Sequence, residues 1–183
     1  MRTLIVTEFI TLDGVIDSPG NGDHPRAGWT FKEVPFVAAA YEIKGTEQLA
    51  AGAMLIGRQS YDEFAPIWPT MEEFAEYNAM PKYVVSSTLA DPEWNNTTVL
   101  RTLDEVAELK QGDGDPILVH GSATLAQGLA AAGLVDRYHL LQFPVTLGEG
   151  KRLFDGNGQG TLKLVEHEAY ENGVVKLVFD VVR

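Results

Sequence analysis

The sequence predicts an α/β fold: a mixed sheet with helices on both faces, closed by a C-terminal antiparallel hairpin. Three observations predict it. Apolar, strand-like runs alternate with helix-period segments as far as Gly133. Three of those runs, ending at Ile56, Val85 and Val119, pass directly into small polar residues, as strands do at the binding edge of an open sheet. The last third instead carries two strand-like segments around Asn172-Gly173, a dipeptide favoured in type I′ hairpin turns.

The elements follow in order. Leu4-Ile5-Val6 through Phe9-Ile10 reads as a buried first strand interrupted only by Thr7 and Glu8. Residues 17–35, with Pro19, Gly20, Gly22, Pro25, Gly28 and Pro35, read as a long loop, which in a compact domain is usually functional or mobile. Phe36, Ala40 and Ile43 keep helical spacing, so the spacing predicts a helix over 36–50. A strand follows at 53–56, a short helix at 58–64 ended by Pro66-Ile67-Trp68-Pro69, and one or two helical turns over 71–80. Residues 83–85 and 98–100 read as strands. Thr102-Leu103-Asp104-Glu105 is a capping-box pattern opening the next helix. Gly112 to Pro116 breaks that helix before a strand at 117–119. Ser122 can cap a helix whose Leu125, Leu129 and Ala132 share a face, and Gly133 suits its end. Residues 136–143 read as a longer strand. In the final segment Val175, Leu177, Phe179 and Val181 alternate with Lys176, Val178, Asp180 and Val182. The absence of repeats and linkers points to one domain over 1–183.

Composition narrows the function. A chain of 183 residues with 45% hydrophobic content needs no disulfide or metal to fold. With no cysteine, thiol nucleophiles and thiolate metal sites are excluded. A net charge of −12 disfavours nucleic acid and anionic membranes as partners, and obliges any polyanionic ligand to find locally placed donors. The N-terminal segment lacks signal-peptide features and no apolar run is long enough to span a membrane, which makes a cytoplasmic location the simplest expectation.

The three polar junctions suit one extended ligand, such as a dinucleotide. Gly121-Ser122 would let backbone approach a phosphate at a helix N-terminus; the same pair also reads as an ordinary tight turn and N-cap. Gly57-Arg58-Gln59-Ser60 offers a close turn, a guanidinium fork for a monophosphate and a hydroxyl, or else a helix start with a surface arginine. Ser86 and Ser87 are a polar strand end that can reach a ribose or phosphate. Asp13 follows the first strand in a Leu-Asp-Gly turn, where a carboxylate can orient substrate or simply close an Asx-turn. Glu42 and Glu47 are read as solvated helix charges rather than a substrate-facing acid, and His24 as a loop histidine rather than a group poised to titrate near neutrality. His139, with no partner at metal-ligand spacing, is read as a satisfied sheet residue. Trp29, Phe31, Tyr61 and Trp68 can line a flat-ring pocket, although aromatics at this density more often pack.

Five segments in order resemble the dihydrofolate reductase-like superfamily, in the branch of the reductase domain of bifunctional riboflavin-biosynthesis enzymes. They are Thr11-Leu12-Asp13-Gly14-Val15-Ile16, Leu55-Ile56-Gly57-Arg58-Gln59-Ser60-Tyr61, Val84-Val85-Ser86-Ser87-Thr88-Leu89, Val119-His120-Gly121-Ser122-Ala123-Thr124-Leu125 and Leu147-Gly148-Glu149-Gly150. The resemblance implies a three-layer α/β/α sandwich, a homodimer, and an NADPH-dependent reductase acting on a small pterin-like or ribosylaminopyrimidine-like heterocycle or another C=N or C=O acceptor. It implies that Arg58, Ser86 and Ser87 meet the adenosine 2′-phosphate and ribose, and Gly57, Ser60, Gly121 and Ser122 the pyrophosphate. It sets Leu147 and Gly148 against the nicotinamide, with Asp13 nearby as the candidate catalytic group. The zinc deaminase half of the bifunctional enzymes has no counterpart here, and residues 17–50 do not match a folate-binding segment. The rival reading is a non-catalytic nucleotide-binding or regulatory protein on the same fold; a flavodoxin-like phosphate binder is disfavoured by the hairpin.

Overall fold

The computed structural model describes residues 1–156 and 160–183. In chain order the elements are β1 (Leu4–Thr11), α1 (Trp29–Lys32), α2 (Ala38–Ala50), β2 (Ala53–Gly57), α3 (Arg58–Phe64), α4 (Ala75–Ala79), β3 (Lys82–Val85), β4 (Thr97–Leu100), α5 (Leu103–Gln111), β5 (Ile117–His120), α6 (Ala123–Ala131), β6 (Arg137–Phe143), β7 (Thr161–Ala169) and β8 (Val175–Val182). Two 3₁₀ turns, Trp68–Thr70 and Glu72–Phe74, precede α4, and the second of them with α4 occupies the 71–80 stretch where one or two helical turns were expected. The expected 17–35 loop contains the short helix α1, and α2 starts after Phe36, with Val37 as its N-cap.

The eight strands form one sheet in the order β4-β3-β2-β5-β1-β6-β8-β7. β4 through β6 are parallel, and β8 and β7 are added antiparallel. Alternate residues of β1 build the two faces, as the two-residue period of a strand requires. Leu4, Val6 and Ile10 pack with Val106 of α5 and Leu125, Ala126 and Leu129 of α6. On the opposite face, Ile5 packs with Tyr61 and Tyr77. Phe9 packs beside Trp29, Ala40 and Phe143 on that same side. The result is the three-layer α/β/α sandwich.

Several local signals act as read. Thr102 Oγ1 accepts the Glu105 N–H at 3.3 Å and Glu105 returns the bond to the Thr102 N–H at 3.0 Å, completing the capping box. Gly133, at φ 67°, lets the Leu134 N–H reach Leu129 O and close α6. The hairpin turn differs from expectation. Only Gly173 takes a positive φ, of 81°, whereas a type I′ turn needs two such residues. The Gly173 N–H closes a four-residue turn on Tyr170 O, and Asn172 Oδ1 accepts the Val174 N–H at 3.1 Å. The asparagine thus braces a longer loop through its side chain, which relieves its backbone of the left-handed conformation.

Candidate functional site

The site is built by register. β2 pairs Gly57 with Val85, and β3 pairs Val85 with Leu100, so Arg58, Ser86 and Arg101 emerge level from three adjacent strands. β2 and β5 pair Leu55 with Val119, which brings Gly57 level with Gly121. β5 stops at His120, the partner of Thr7, while β1 runs on through Glu8, Phe9, Ile10 and Thr11. The sheet edge therefore has a notch beyond β5. The turns carrying Gly57, Ser60, Gly121 and Ser122 lie on one side, and the end of β1 on the other. A crevice outside the carboxyl ends of parallel strands is where open α/β sheets bind ligands.

Gly121 and Ser122 are consecutive left-handed residues, at φ 61° and 68°. A Cβ on Gly121 would lie 3.2 Å from Ser60 Oγ and 3.5 Å from Phe64. Ser122 sits at the N-cap position of α6, but its side chain does not cap the helix. Its hydroxyl accepts the Gly57 N–H at 2.9 Å and donates to Ser60 Oγ at 2.8 Å. The expected side-chain cap is thus corrected: in a left-handed residue the hydroxyl turns toward the neighbouring strand's turn, leaving the first N–H groups of α6 free of it. A non-glycine residue held at positive φ is a strained conformation of the kind that clusters at ligand sites.

At the β3 end, Ser86 Oγ is turned inward and accepts the N–H groups of Thr88 and Leu89, while Ser87 is exposed. Arg101 Nη1 donates to Ser86 O at 2.6 Å. Arg58 binds Asp62 through Nε at 2.8 Å, so its two terminal nitrogens have no protein partner among the described residues. Across the notch, the backbone after β6 brings two further cations. Lys151 Nζ donates to Gln59 Oε1, and Arg152 donates to Asp13 O and to Gly148 O. Arg101, Lys151 and Arg152 carry no local motif, and only the sheet order and the loop after β6 bring them to the same edge as Arg58.

Asp13 and Gly148 are in direct contact. The Asp13 carboxylate accepts the Thr11 hydroxyl at 2.5 Å, the Leu147 N–H at 3.3 Å and the Gly148 N–H at 2.7 Å. Burial raises its pKa, but those three donors together outweigh it and hold the group ionised below its ordinary value. Asp13 thereby clamps the turn after β1 to the loop after β6.

The aromatic and histidine candidates divide. Trp29, Tyr61 and Trp68 are core residues, and only Phe31 leaves its ring exposed, stacked on Tyr41 at 6.2 Å. His24 braces its own loop by accepting the Arg26 N–H at 3.1 Å.

Glu47 is not a solvated helix charge, although Glu42 is exposed. Glu47 is 5% exposed and faces the sheet. It accepts the Thr7 hydroxyl and pairs with His139 Nδ1, each at 2.7 Å, and it lies 3.5 Å from Lys44 Nζ. Burial raises its pKa, but Lys44, His139 and Thr7 together bring it down to about 2. Lys44 Nζ also donates to Thr7 and sits 5.0 Å above the Phe9 ring. His120 and His139 flank Thr7 at the same level, and burial with nearby Lys44 lowers His120 to about 4. The signal for this cluster was present in sequence as Thr7 and Glu8, polar residues inside an otherwise apolar strand.

The sheet order and its notched edge define an α/β protein of the dihydrofolate reductase-like fold. The chain belongs to the RibD C-terminal domain family, whose model matches residues 2–176. It is 30% identical over 191 residues to the uncharacterised YyaP protein of Bacillus subtilis (strain 168), covering 97% of this chain and 94% of that one. Among solved structures it is similar to a candidate riboflavin biosynthesis protein from Shewanella sp. PV-4, with TM-score 0.74, 20% identity and both chains covered completely. It is also similar to a dihydrofolate reductase from Enterococcus faecalis complexed with NADP(H) and RAB-propyl. That match has TM-score 0.66 and 13% identity and covers 99% of this chain and 97% of the other. These likenesses establish a reductase-fold protein.

Proposed function

We propose that the protein is an NADPH-dependent reductase that transfers hydride to a small heterocycle, pterin-like or ribosylaminopyrimidine-like, or to another C=N or C=O acceptor. The observation that carries this reading is the concentration of Arg58, Arg101, Lys151 and Arg152 along one edge of a chain whose net charge is −12. Such a placement supplies the local donors that a polyanionic cofactor requires. The dihydrofolate reductase of similar fold was solved with NADP(H), which supports the same cofactor here.

In this reading Arg58, Ser87 and Arg101 hold the adenosine 2′-phosphate, and Ser86 shapes the turn that presents them. Gly57, Ser60, Gly121 and Ser122 form the pyrophosphate cradle. It fits because the glycine at 121 leaves open the space beside Ser60 that a Cβ would fill. Leu147 and Gly148 lie along the nicotinamide. The bound cofactor would supply the hydride, and the protein would orient it and exclude water. Asp13 serves by fixing the nicotinamide end of the notch, because its carboxylate is already committed to three donors. Within the substrate class, the engagement of Glu47 by Lys44, His139 and Thr7 favours acceptors that need no free carboxylate for recognition. A homodimer belongs to the same proposal, and β7, exposed along nearly its whole length, offers the surface for it. Light scattering would then give twice the 20.0 kDa chain mass.

Thermal shift with NADPH, NADH and flavins tests the cofactor. A ligand at 100 times its Kd adds about 2.7 kcal/mol, or about 5–10 °C for a domain of this size. NADPH oxidation with pterin, ribosylaminopyrimidine and quinone acceptors tests the activity. The commitment of Asp13 to structural bonds keeps a second reading, a non-catalytic nucleotide-binding or regulatory protein. Cofactor binding without turnover on any acceptor would select it.

A further inference from the structure

We infer that Glu8 is a proton-storing carboxyl whose ionisation is coupled to the charge of the bound nicotinamide. The inference rests on the reductase reading above and assigns it a proton source.

Three features of the molecule carry it. Glu8 is the first residue of β1 beyond the end of β5, so its backbone borders the notch. It is 4% exposed, and its Oε1 has no hydrogen-bond partner among the described residues. A carboxylate oxygen in that setting lacks both water and donors, whereas the neutral acid is tolerated. Finally, the charges acting on it oppose each other: Lys44 favours its carboxylate and Glu47 its neutral form, and the two, both on α2, form an ion pair with each other. Of the histidines on the flanking strands, His120 is held neutral by burial, and His139 is bound to Glu47 through Nδ1. Burial, only partly offset by Lys44 and reinforced by Glu47, raises Glu8 to about 8. The group is therefore mostly protonated at neutral pH and close to giving its proton up.

The nicotinamide ring is neutral when reduced and cationic when oxidised. A cation arriving at the notch favours the Glu8 carboxylate by Coulomb attraction through a low-dielectric interior. In one turnover the acceptor gains a hydride from the reduced cofactor at carbon and a proton at the adjoining nitrogen or oxygen. Glu8 loses that proton as its O–H bond breaks. It remains as carboxylate beside the oxidised ring and regains a proton from water when the oxidised cofactor leaves. The acceptor is reduced by two electrons and the cofactor oxidised by two.

The test needs no substrate. Isothermal titration calorimetry at pH 7, in two buffers of different ionisation enthalpy, counts the protons exchanged when NADP⁺ and NADPH bind. The 2′-phosphate is common to both ligands and cancels in the difference. The wild-type protein is expected to release close to one more proton with NADP⁺ than with NADPH, and Glu8→Gln is expected to abolish that difference while binding both forms. Equal proton counts in the wild type overturn the inference without recourse to any variant. A difference that persists in Glu8→Gln, or in Glu8→Ala should the glutamine variant fold poorly, also overturns it. Failure of both nucleotides to bind the wild type overturns the cofactor reading itself, and this inference with it.

Discussion

Ser122 Oγ accepts the Gly57 N–H at 2.9 Å, so the turn after β5 is tied directly to the turn after β2, across residues distant in sequence. The same hydroxyl donates to Ser60. Ser122→Ala removes both bonds and leaves a partly buried N–H unmatched, a loss of about 1–3 kcal/mol. Urea unfolding should show that decrease, and NADPH affinity should fall with it as the two turns drift apart.

Gly121→Val should weaken NADPH and NADH alike. Its Cβ would crowd Ser60 Oγ at 3.2 Å, and the position has φ 61°, which β-branched residues resist. Calorimetric titration of both nucleotides would check this. Unaltered binding of both would remove the 121–122 turn from the site.

Arg58→Ala should lower the NADPH-to-NADH affinity ratio by about tenfold, since a charge-assisted bond to a phosphate contributes about 1.5–3 kcal/mol. Stability should change by less than about 0.5 kcal/mol, because the Arg58–Asp62 pair is exposed. An unchanged ratio would show that the guanidinium does not meet the 2′-phosphate.

The two buried carboxyls should give opposite pH dependences. Glu47, lowered to about 2, contributes stability above its unfolded pKa that is lost as pH falls from about 4.5 toward 2. Glu47→Gln should therefore cost about 3–5 kcal/mol at pH 7 and progressively less in acid. Glu8, raised to about 8, behaves in reverse: its contribution is complete below about 4.5 and is lost as pH rises through 8. Glu8→Gln should become more stable relative to wild type between pH 5 and 9. Denaturant titrations at several pH values would read both signs.

Much of the edge was legible. Gly57 and Ser86 follow apolar runs directly and Gly121 follows one after a single histidine, and that local pattern alone predicts backbone and hydroxyls at a strand end. The capping box at Thr102 and the stop at Gly133 were equally local. The Ser122 cap and the type I′ turn at Asn172 differ from local expectation because side-chain and backbone alternatives of similar energy compete at such positions, and tertiary partners select between them. Glu47 departs from local expectation for another reason. Helical spacing shows which residues share a face, but not whether that face meets water or a strand carrying Thr7 and His139.

By itself, then, the sequence determined the order of elements, the turns that open the carboxyl edge and the absence of thiol chemistry, all of which depend on near neighbours. The tertiary structure alone decided that β5 ends short of β1, which creates the notch and sets Glu8 at its rim. It alone brought Arg101, Lys151 and Arg152 to the same edge as Arg58, and buried Glu47 among Lys44, Thr7 and His139. The physical reason is that charge placement and desolvation depend on strand order and register. Those are set by which apolar faces can be buried together, and that sum over the whole chain is not written in any one segment.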